Sequence, residues 1–155
     1  MAQANLGTDI GITLIDSRAL SIYRVTETER LVRDGGRTRR IADFATVEGR
    51  ENLGQALIRR LLTPRGELGA LGHAGYGSRL HEIVGAPNTD TTRNLAKLFV
   101  LESLKAERRV ARILAVTVTP HPTERFLIQV AIEVQPIGAA DVLALSLALE
   151  LQGGV

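Results

Sequence analysis

Cysteine and tryptophan are absent from this chain of 155 residues, and aromatic residues make up only 3% of it. Without cysteine the chain forms neither disulfides nor thiolate metal sites, which fits folding in a reducing cytoplasm. With so few aromatics, stacking on nucleic-acid bases or on sugar rings is disfavoured. No apolar run reaches the roughly 18 residues of a membrane span, and the first residues lack the features of a secretory leader. We therefore expect neither a membrane span nor a signal peptide.

Lysine is also scarce, since 17 of the 19 basic residues are arginine and only Lys97 and Lys105 are lysine. The formal net charge is +2, so the chain is not strongly basic. Arginine presents a planar fork of donors that suits carboxylates and protein interfaces. A GC-rich genome gives the same bias through its codons, so both explanations stay open.

The N-terminal part predicts one strand followed by a polar arm. Ile10, Ile12 and Leu14 alternate with small residues, which indicates a strand over residues 8–15. Residues 24–40 contain six arginines and the pair Gly35-Gly36, and we expect a mobile loop or extended arm there. A nucleic-acid patch is the alternative. We divide the chain into residues 1–40, the strand and arginine-rich arm, and residues 41–155, the main domain.

Helical spacing dominates the middle of the chain. A helix is predicted from about Glu48 to Leu62, ended by Pro64, with an apolar stripe of Leu53, Ala56, Leu57, Leu61 and Leu62. Glycine-rich residues 66–77 predict turns, and a short helix is expected over residues 78–85. The longest helix is predicted over residues 89–107, capped by Asn88, with a buried stripe formed by Leu95, Leu98, Phe99, Val100, Leu101 and Leu104.

The hydrophobic period changes to two after this helix. Leu114, Val116 and Val118 alternate in one segment, residues 126–134 alternate in the next, and every second residue from 143 to 151 is leucine. Three such segments joined by short turns predict an antiparallel meander. The fold class is therefore α+β, with helices packed on one face of a C-terminal three-stranded meander and an extra N-terminal strand.

Few residues suggest catalysis or metal binding. His73, His81 and His121 lack the spacing of a zinc site, no Gly-x-Ser-x-Gly elbow occurs, and residues 72–77 lack the Lys-Ser/Thr of a phosphate loop. Pairs of carboxylates could hydrolyse a glycoside, but 17 acidic residues offer such pairs in any domain. The candidates are Glu48, Glu51, Glu82, Glu102 and Glu107. We expect no metal, no cofactor, no small-molecule substrate and no enzymatic activity.

The cluster Glu107-Arg108-Arg109 lies where the long helix meets the meander. Cations near a helix C-terminus are favourable, so capping of the helix explains them simply, with Arg112 adding to it. The alternative is a charged pair held at a fixed corner for a protein partner. Position alone leaves both explanations open.

Several runs resemble the baseplate wedge family of contractile phage tails, which includes the wedge protein of the type VI secretion apparatus and its counterparts in extracellular tail-like particles. The resemblance spans residues 41–150 and is carried by residues 43–57 (Asp-Phe-Ala-Thr-Val-Glu-Gly-Arg-Glu-Asn-Leu-Gly-Gln-Ala-Leu), residues 61–68 (Leu-Leu-Thr-Pro-Arg-Gly-Glu-Leu), residues 76–80 (Tyr-Gly-Ser-Arg-Leu), Asn88-Thr89 and Thr92-Arg93-Asn94. The family is marked by a Glu-Pro-Arg triplet at the end of the long helix. Here Glu107 and Arg109 match it, and Arg108 stands where proline is usual.

The resemblance implies a non-enzymatic structural subunit present in several copies in a symmetric baseplate. Glu107, Arg108 and Arg109 would bind the helical bundle of other wedge proteins. The meander is similar to the interlocking domain of sheath subunits, so its last strand, with Leu143, Leu145, Leu147 and Leu149, would accept a strand from the first sheath ring and seed sheath assembly. Such particles assemble in the bacterial cytoplasm and become part of a virion or extracellular particle. Some family members carry a lysozyme label, so a peptidoglycan-cleaving tail enzyme is the alternative.

Overall fold

The computed structural model describes residues 6–16 and 22–151. Within these two ranges nine strands and two helices follow one another, with short 3-10 turns at Gly69–Leu71 and Leu80–Ile83. Within the described residues no helix is long and apolar enough to cross a membrane. The elements are β1 (Thr8–Ile10), β2 (Ile12–Asp16), β3 (Ile22–Val25), β4 (Glu27–Asp34), β5 (Arg37–Phe44), β6 (Thr46–Glu48), α1 (Gly49–Leu62), α2 (Asp90–Lys105), β7 (Val110–Pro120), β8 (Leu127–Pro136) and β9 (Leu143–Glu150).

The C-terminal half is the predicted antiparallel meander, with strand order β7-β8-β9. Side chains of β8 and β9 alternate between a buried and a largely exposed face. Both helices pack on the buried face, so the expected α+β class is confirmed. The shared core includes Leu53, Leu57 and Leu61 of α1, Phe99, Val100 and Leu104 of α2, and Ile128, Val130, Ile132 and Val134 of β8.

Helix α1 begins and ends where its sequence predicts. It ends at Leu62 because Thr63 turns back, its N–H and its hydroxyl both donating to the carbonyl of Arg59, and Pro64 follows. The next segment returns to this end, where the N–H of Ser78 donates to the carbonyl of Thr63. A Cβ at Gly77 would lie 2.5 Å from that carbonyl oxygen, so the close approach requires glycine. The short helix predicted over residues 78–85 is only the 3-10 turn Leu80–Ile83.

Helix α2 differs from its prediction in its cap and in its buried stripe. Thr89 is the N-cap, its hydroxyl accepting from the N–H of Thr92. Asn88 does not cap the helix because its side-chain amide donates instead to the carbonyls of Arg125 and Leu127. Leu95 and Leu98 were expected in the buried stripe, but they are exposed. The stripe that faces the core contains Ala96, Phe99, Val100, Ser103 and Leu104.

The alternation predicted for β7 is interrupted by an irregularity. The register against β8 shifts between Val110 and Arg112 and again between Ile113 and Ala115. An extra residue at such a bulge reverses which face the following side chain takes. Leu114 is therefore 48% exposed, whereas Val116 is buried as expected.

The arginine-rich segment, for which a mobile loop or an extended arm was expected, is a β-hairpin. Strands β4 and β5 pair in regular antiparallel register from Glu27 opposite Phe44 to Asp34 opposite Arg37. The two-residue connection is Gly35-Gly36, both with positive φ, as a tight hairpin turn requires. We call this hairpin, residues 27–44, the arm. The boundary expected after residue 40 falls inside β5.

Three two-stranded ladders meet at one point in the N-terminal half, β1 with β6, β2 with β3, and β4 with β5. The predicted strand over residues 8–15 is divided there at Gly11 into β1 and β2. The N–H of Gly11 donates to Ala45 (2.7 Å), that of Ala45 to Thr26 (2.8 Å), and that of Thr26 to Gly11 (2.8 Å). This closed ring of backbone bonds, which we call the three-way junction, satisfies the groups at which each strand leaves its neighbour.

Polar residues of α1 hold this junction against the helix. The side-chain amide of Gln55 accepts from the N–H of Ile12 and donates to the carbonyl of Ile10, each at 2.8 Å. Arg59 contacts the carboxylate of Asp9 at 2.7 Å. Asn52 donates to the carbonyl of Leu6 at 2.9 Å. Spaced three and four residues apart, these side chains lie along one stripe of α1.

Replacing Gly11 tests the three-way junction. A Cβ there would lie 3.3 Å from the carbonyl oxygen of Ala45 and 3.4 Å from a methyl carbon of Val47. We expect Gly11→Val to lower the free energy of unfolding by about 1–3 kcal/mol, because the three strands must separate to admit the branched side chain. Amide hydrogen exchange should quicken at residues 11, 26 and 45 and stay slow in β8. Gly75→Ala, at a glycine with open space around it, is the control, and unchanged exchange in the Gly11 variant would contradict the prediction.

Candidate functional site

Glu107 and Arg109 form a fork-to-fork pair between the end of α2 and the start of β7. Nε of Arg109 donates to Oε1 of Glu107 at 2.9 Å, and Nη2 donates to Oε2 at 3.2 Å. The backbone N–H of Arg109 also donates to Oε1, at 3.2 Å. Three bonds to one carboxylate fix the backbone at this corner, although the residue between the two is Arg108 and not a proline.

Two further groups join the pair inside the molecule. Arg60 of α1 approaches Glu107 at 3.4 Å, and its guanidinium lies 4.5 Å from the ring centre of Tyr76. Nη1 of Arg109 donates to the carbonyl of Leu6 at 3.1 Å. The carboxylate of Glu107 is only 9% exposed. We call Glu107, Arg109 and Arg60 the corner cluster.

The corner cluster holds Glu107 in its charged form. Burial by itself raises the pKa of the Glu107 carboxyl, but the hydrogen bonds and charge of Arg109, with the charge of Arg60, outweigh it. The pKa of Glu107 is therefore below its ordinary value. The bond to Glu107 also raises the pKa of Arg109. A buried carboxylate is tolerated here because both its oxygens are paired.

The structure thus brings together two of the three predicted corner residues and leaves the third apart. Arg108 is exposed, whereas Glu107 and Arg109 are engaged within the chain. Arg60, which completes the corner cluster, was not among the residues that the sequence singled out. The sequence contains little that would identify this contact, since a single arginine on a helix gives no indication of a partner 47 positions further along the chain.

The leucines predicted to bind a partner face inward. Leu143, Leu147 and Leu149 are buried in the core, and Leu145 packs against it. On the other face of β9 the side chains of Ala144, Ser146 and Ala148 are short, and only Glu150 at the end of the strand is long. An incoming strand would therefore meet the backbone of β9 and these small residues, while the leucines support the strand from behind.

The outer edge of β9 presents unpaired backbone groups. The N–H of Leu151 donates to the carbonyl of Phe126, and in antiparallel strands every second residue bonds the same neighbour. Residues 143, 145, 147 and 149 therefore bond β8, and the N–H and C=O groups of Ala144, Ser146 and Ala148 point away from it. In the described part of the chain no strand pairs with this edge.

The two edges of the sheet differ in how they are protected. β7 carries two register shifts and ends in Pro120, and bulges and prolines are common means of blocking an edge. β9 pairs with β8 without a shift from Val134–Leu143 to Leu127–Glu150. Regular, apolar and without charge along its first seven residues, β9 is the edge better suited to accept a strand.

A groove lies beside this edge. It has a volume of about 450 Å³ and runs between α1, β2 and the first half of β9. Gly54 allows the close approach, since a Cβ there would lie 3.2 Å from a methyl carbon of Leu145. The groove is lined by Ile12, Arg50, Glu51, Gly54, Gln55, Ile58, Leu143 and Leu145.

The carboxylates considered for catalysis lie in three separate places. Glu82 and Glu102 both approach Arg79, and the hydrogen bond from Arg79 lowers the pKa of Glu82. Glu48 and Glu51 lie at the start of α1, and Glu107 belongs to the corner cluster. Among the described residues no three histidine or acidic side chains are grouped as metal ligands.

A variant at Glu107 measures the strength of the corner cluster. Because its pKa in the fold is lowered, the carboxylate stabilises the protein above the ordinary value of 4.5, and this contribution is lost as pH falls through the folded-state pKa. We expect Glu107→Gln to lower the free energy of unfolding by about 1–3 kcal/mol near neutral pH. In urea titrations the difference from the unmodified protein should shrink in acid. Glu67→Gln, at an exposed carboxylate, is the control. A difference for the Glu107 variant that does not depend on pH would contradict the assignment.

No protein-family model and no curated protein matches the chain. Among solved structures, the chain is similar to the crystal structure of a presumed tail lysozyme from Geobacter sulfurreducens. The two are 24% identical, with a TM-score of 0.58, over 68% of this chain and 93% of that one. The match shows a shared fold, and about a third of this chain lies outside it.

Proposed function

We propose that the protein is a structural baseplate wedge subunit of a contractile tail or tail-like particle, which links the wedge bundle to the sheath and seeds sheath assembly. The observation that carries the proposal is the outer edge of β9. It is a regular strand end to end, backed by buried leucines and unpaired on its outer side in the described chain. A soluble protein rarely leaves such an edge open unless a partner covers it.

Strand addition explains why this edge suits a sheath subunit. Main-chain hydrogen bonds to Ala144, Ser146 and Ala148 would supply affinity, and pockets for alternate side chains would supply specificity. The groove formed by Ile58, Leu143 and Leu145 offers such a pocket. Because the three outward side chains are small, they do not obstruct a strand arriving alongside.

Two likenesses support a tail-associated role. The solved structure with the same fold is described as a presumed tail lysozyme, and hence as a tail protein. The runs that resemble the wedge family include Asn52 and Gln55, which hold the N-terminal segment on α1. Residues of those runs therefore have structural tasks in this fold. Assembly in the bacterial cytoplasm, in several copies per particle, belongs to the same proposal.

The corner cluster would contribute to the wedge contact indirectly. Glu107 and Arg109 are engaged with one another, with Arg60 and with Leu6. They would fix the turn at the end of α2, so that the exposed guanidinium of Arg108 is presented to a neighbouring subunit. A fixed cation loses less entropy on binding than one on a mobile loop.

Peptidoglycan cleavage is the second candidate, favoured by the description of the similar structure. A glycosidase needs a carboxyl group whose pKa is raised so that it can act as general acid. Hydrogen bonds lower the pKa of Asp9, of Glu82 and of Glu107 instead, from the backbone of Ile10, from Arg79 and from Arg109 respectively. A turbidity assay with purified protein on purified cell wall tests this candidate, and clearing of the suspension would favour it over the structural role.

Affinity purification of the tagged protein from its native cell tests the proposed function directly. Electron microscopy of the eluate should show baseplates or sheathed tubes, and mass spectrometry should find sheath and wedge proteins. A lone protein from cells that demonstrably make such particles would overturn the proposal.

Proline at position 146 should block strand addition without breaking the sheet. The N–H of Ser146 points away from β8, so Ser146→Pro removes a donor that only an incoming strand would use. We expect at least about a tenfold loss of sheathed particles, because the ladder of main-chain hydrogen bonds between β9 and the strand of the first sheath subunit is interrupted. Ser146→Ala is the control, since it removes the same contact of the hydroxyl with Gln129. Normal sheaths in the proline variant, counted by electron microscopy, would exclude β9 as the docking edge.

Charge reversal at Arg108 tests the wedge contact separately. Glu107→Arg is unsuitable, because it would place a third cation beside Arg60 and Arg109 and damage the fold. Arg108→Glu should leave the free energy of unfolding within about 0.5 kcal/mol of the original value. It should also reduce recovery of wedge proteins with the tagged protein by about tenfold. Lys97→Glu, at an exposed position on α2, is the matched control, and equal recovery from both variants would remove Arg108 from the contact.

A further inference from the structure

The arm has two faces of different composition. Residues directly opposite in an antiparallel ladder share a face. Arg30 lies opposite Ile41, Val32 opposite Arg39, and Asp34 opposite Arg37. These pairs place three arginines around two aliphatic side chains on one face. We call this the basic face of the arm, formed by Arg30, Val32, Asp34, Arg37, Arg39 and Ile41. Thr28 and Asp43 continue the same face at the base of the arm.

Two arginines of the basic face have no carboxylate partner in the part of the chain that the structure describes. Arg30 contacts Asp43 at 3.6 Å, but within the described residues no acidic side chain is in ion-pair contact with Arg37 or Arg39. All three arginines are exposed. Arg37 and Arg39 are two residues apart on one strand, so their side chains project about 6.6 Å apart on the same side.

The arm also exposes apolar surface that it cannot bury itself. Ile41 is exposed on the basic face, and Leu31 on the opposite face is 65% exposed. A two-stranded hairpin has no third strand or helix to cover its sides, and alone it is only marginally stable in water. Its regular form here depends on the three-way junction at its base.

We propose that the basic face of the arm docks an extended acidic segment of another protein, with carboxylates at every second residue. The period of an extended partner matches the spacing of Arg37 and Arg39. Each guanidinium can bind a carboxylate through two parallel hydrogen bonds. Ile41 and Val32 would receive an aliphatic side chain between the charged contacts. The proposal does not rest on the wedge assignment.

A nucleic acid fits this surface less well. Glu27, Glu29 and Asp43 lie at the base of the arm. A duplex backbone that ran along the arm would continue over these carboxylates and be repelled by them, whereas a short acidic segment can end before it reaches them. The basic face carries no aromatic side chain on which a base could stack. A second copy of the arm is also a poor partner, because Glu29 and Asp43 are already paired with Arg40 and Arg30.

Fluorescence anisotropy with the full chain tests the proposal. The probe is a labelled peptide of about ten residues that alternates glutamate and threonine, long enough to span one strand of the arm. We expect Arg37→Gln with Arg39→Gln to weaken its binding about fivefold to thirtyfold, by loss of two charge-assisted contacts. Arg112→Gln with Arg125→Gln removes the same charge from exposed sites elsewhere and should change binding less than about twofold. Arg33→Gln, on the opposite face of the arm, should also have little effect.

Each other outcome would overturn the proposal. Absence of binding would exclude an acidic segment as the partner. Equal weakening by the arm variant and the Arg112/Arg125 variant would mean that the peptide senses only the net charge of the protein. Equal weakening by Arg33→Gln would exclude the basic face. Tighter binding of a DNA duplex than of the peptide, lost in the arm variant, would assign the arm to nucleic acid. Concentration-dependent self-association that the arm variant abolishes, measured by light scattering, would assign it to a second copy of the chain.

Discussion

The side-chain amide of Gln55 occupies the position that a neighbouring strand would otherwise hold. A carboxamide offers an acceptor and a donor as a peptide group does, so it bonds the N–H of Ile12 and the carbonyl of Ile10 on either side of Gly11. The three-way junction begins at that glycine, and the arm extends from it. Because the opposite stripe of α1 builds the apolar core with β8 and β9, one helix fixes the N-terminal ladders relative to the meander. Loss of this anchor would leave three two-stranded ladders, each too small to persist alone.

The corner cluster also holds the N-terminal segment in place, through a residue that follows α2. The carbonyl of Leu6 accepts from Asn52 of α1 and from Arg109, which follows α2. Burying Glu107 costs free energy, and the fork of Arg109 offsets it by satisfying both oxygens. Lysine could not do this, since its ammonium group binds as a point charge. Part of the excess of arginine over lysine therefore has a structural reason in this protein, independent of codon usage.

Periodicity predicted the meander and both helices because each of those segments buries one face. Ile128, Val130 and Ile132 alternate without interruption, and the core dictates that pattern. Periodicity did not predict the strands of the arm, because arginines and acidic residues occupy both faces of the hairpin and neither face is buried. Gly35-Gly36 was the available signal, as two consecutive glycines favour a tight hairpin turn. The bulge that exposes Leu114 and the pairing of Arg60 with Glu107 depend on contacts distant in sequence, which a local pattern does not contain.

The arm and the outer edge of β9 are both exposed, and they differ in whether charged side chains oppose unspecific pairing with another strand. The arm places charged side chains along both its strands, and such charges oppose unspecific pairing of an edge. The outer edge of β9 has no such charge from Leu143 to Leu149, where Ala144, Ser146 and Ala148 point away from the core. Unspecific pairing of this edge with other strands would cause aggregation unless a binding partner covers the edge first. The groove beside β9 also borders Ile12 and Gln55, so an occupant of that edge would touch the segment from which the arm extends. Binding at β9 and the position of the arm are therefore expected to be coupled through the anchor at Gln55.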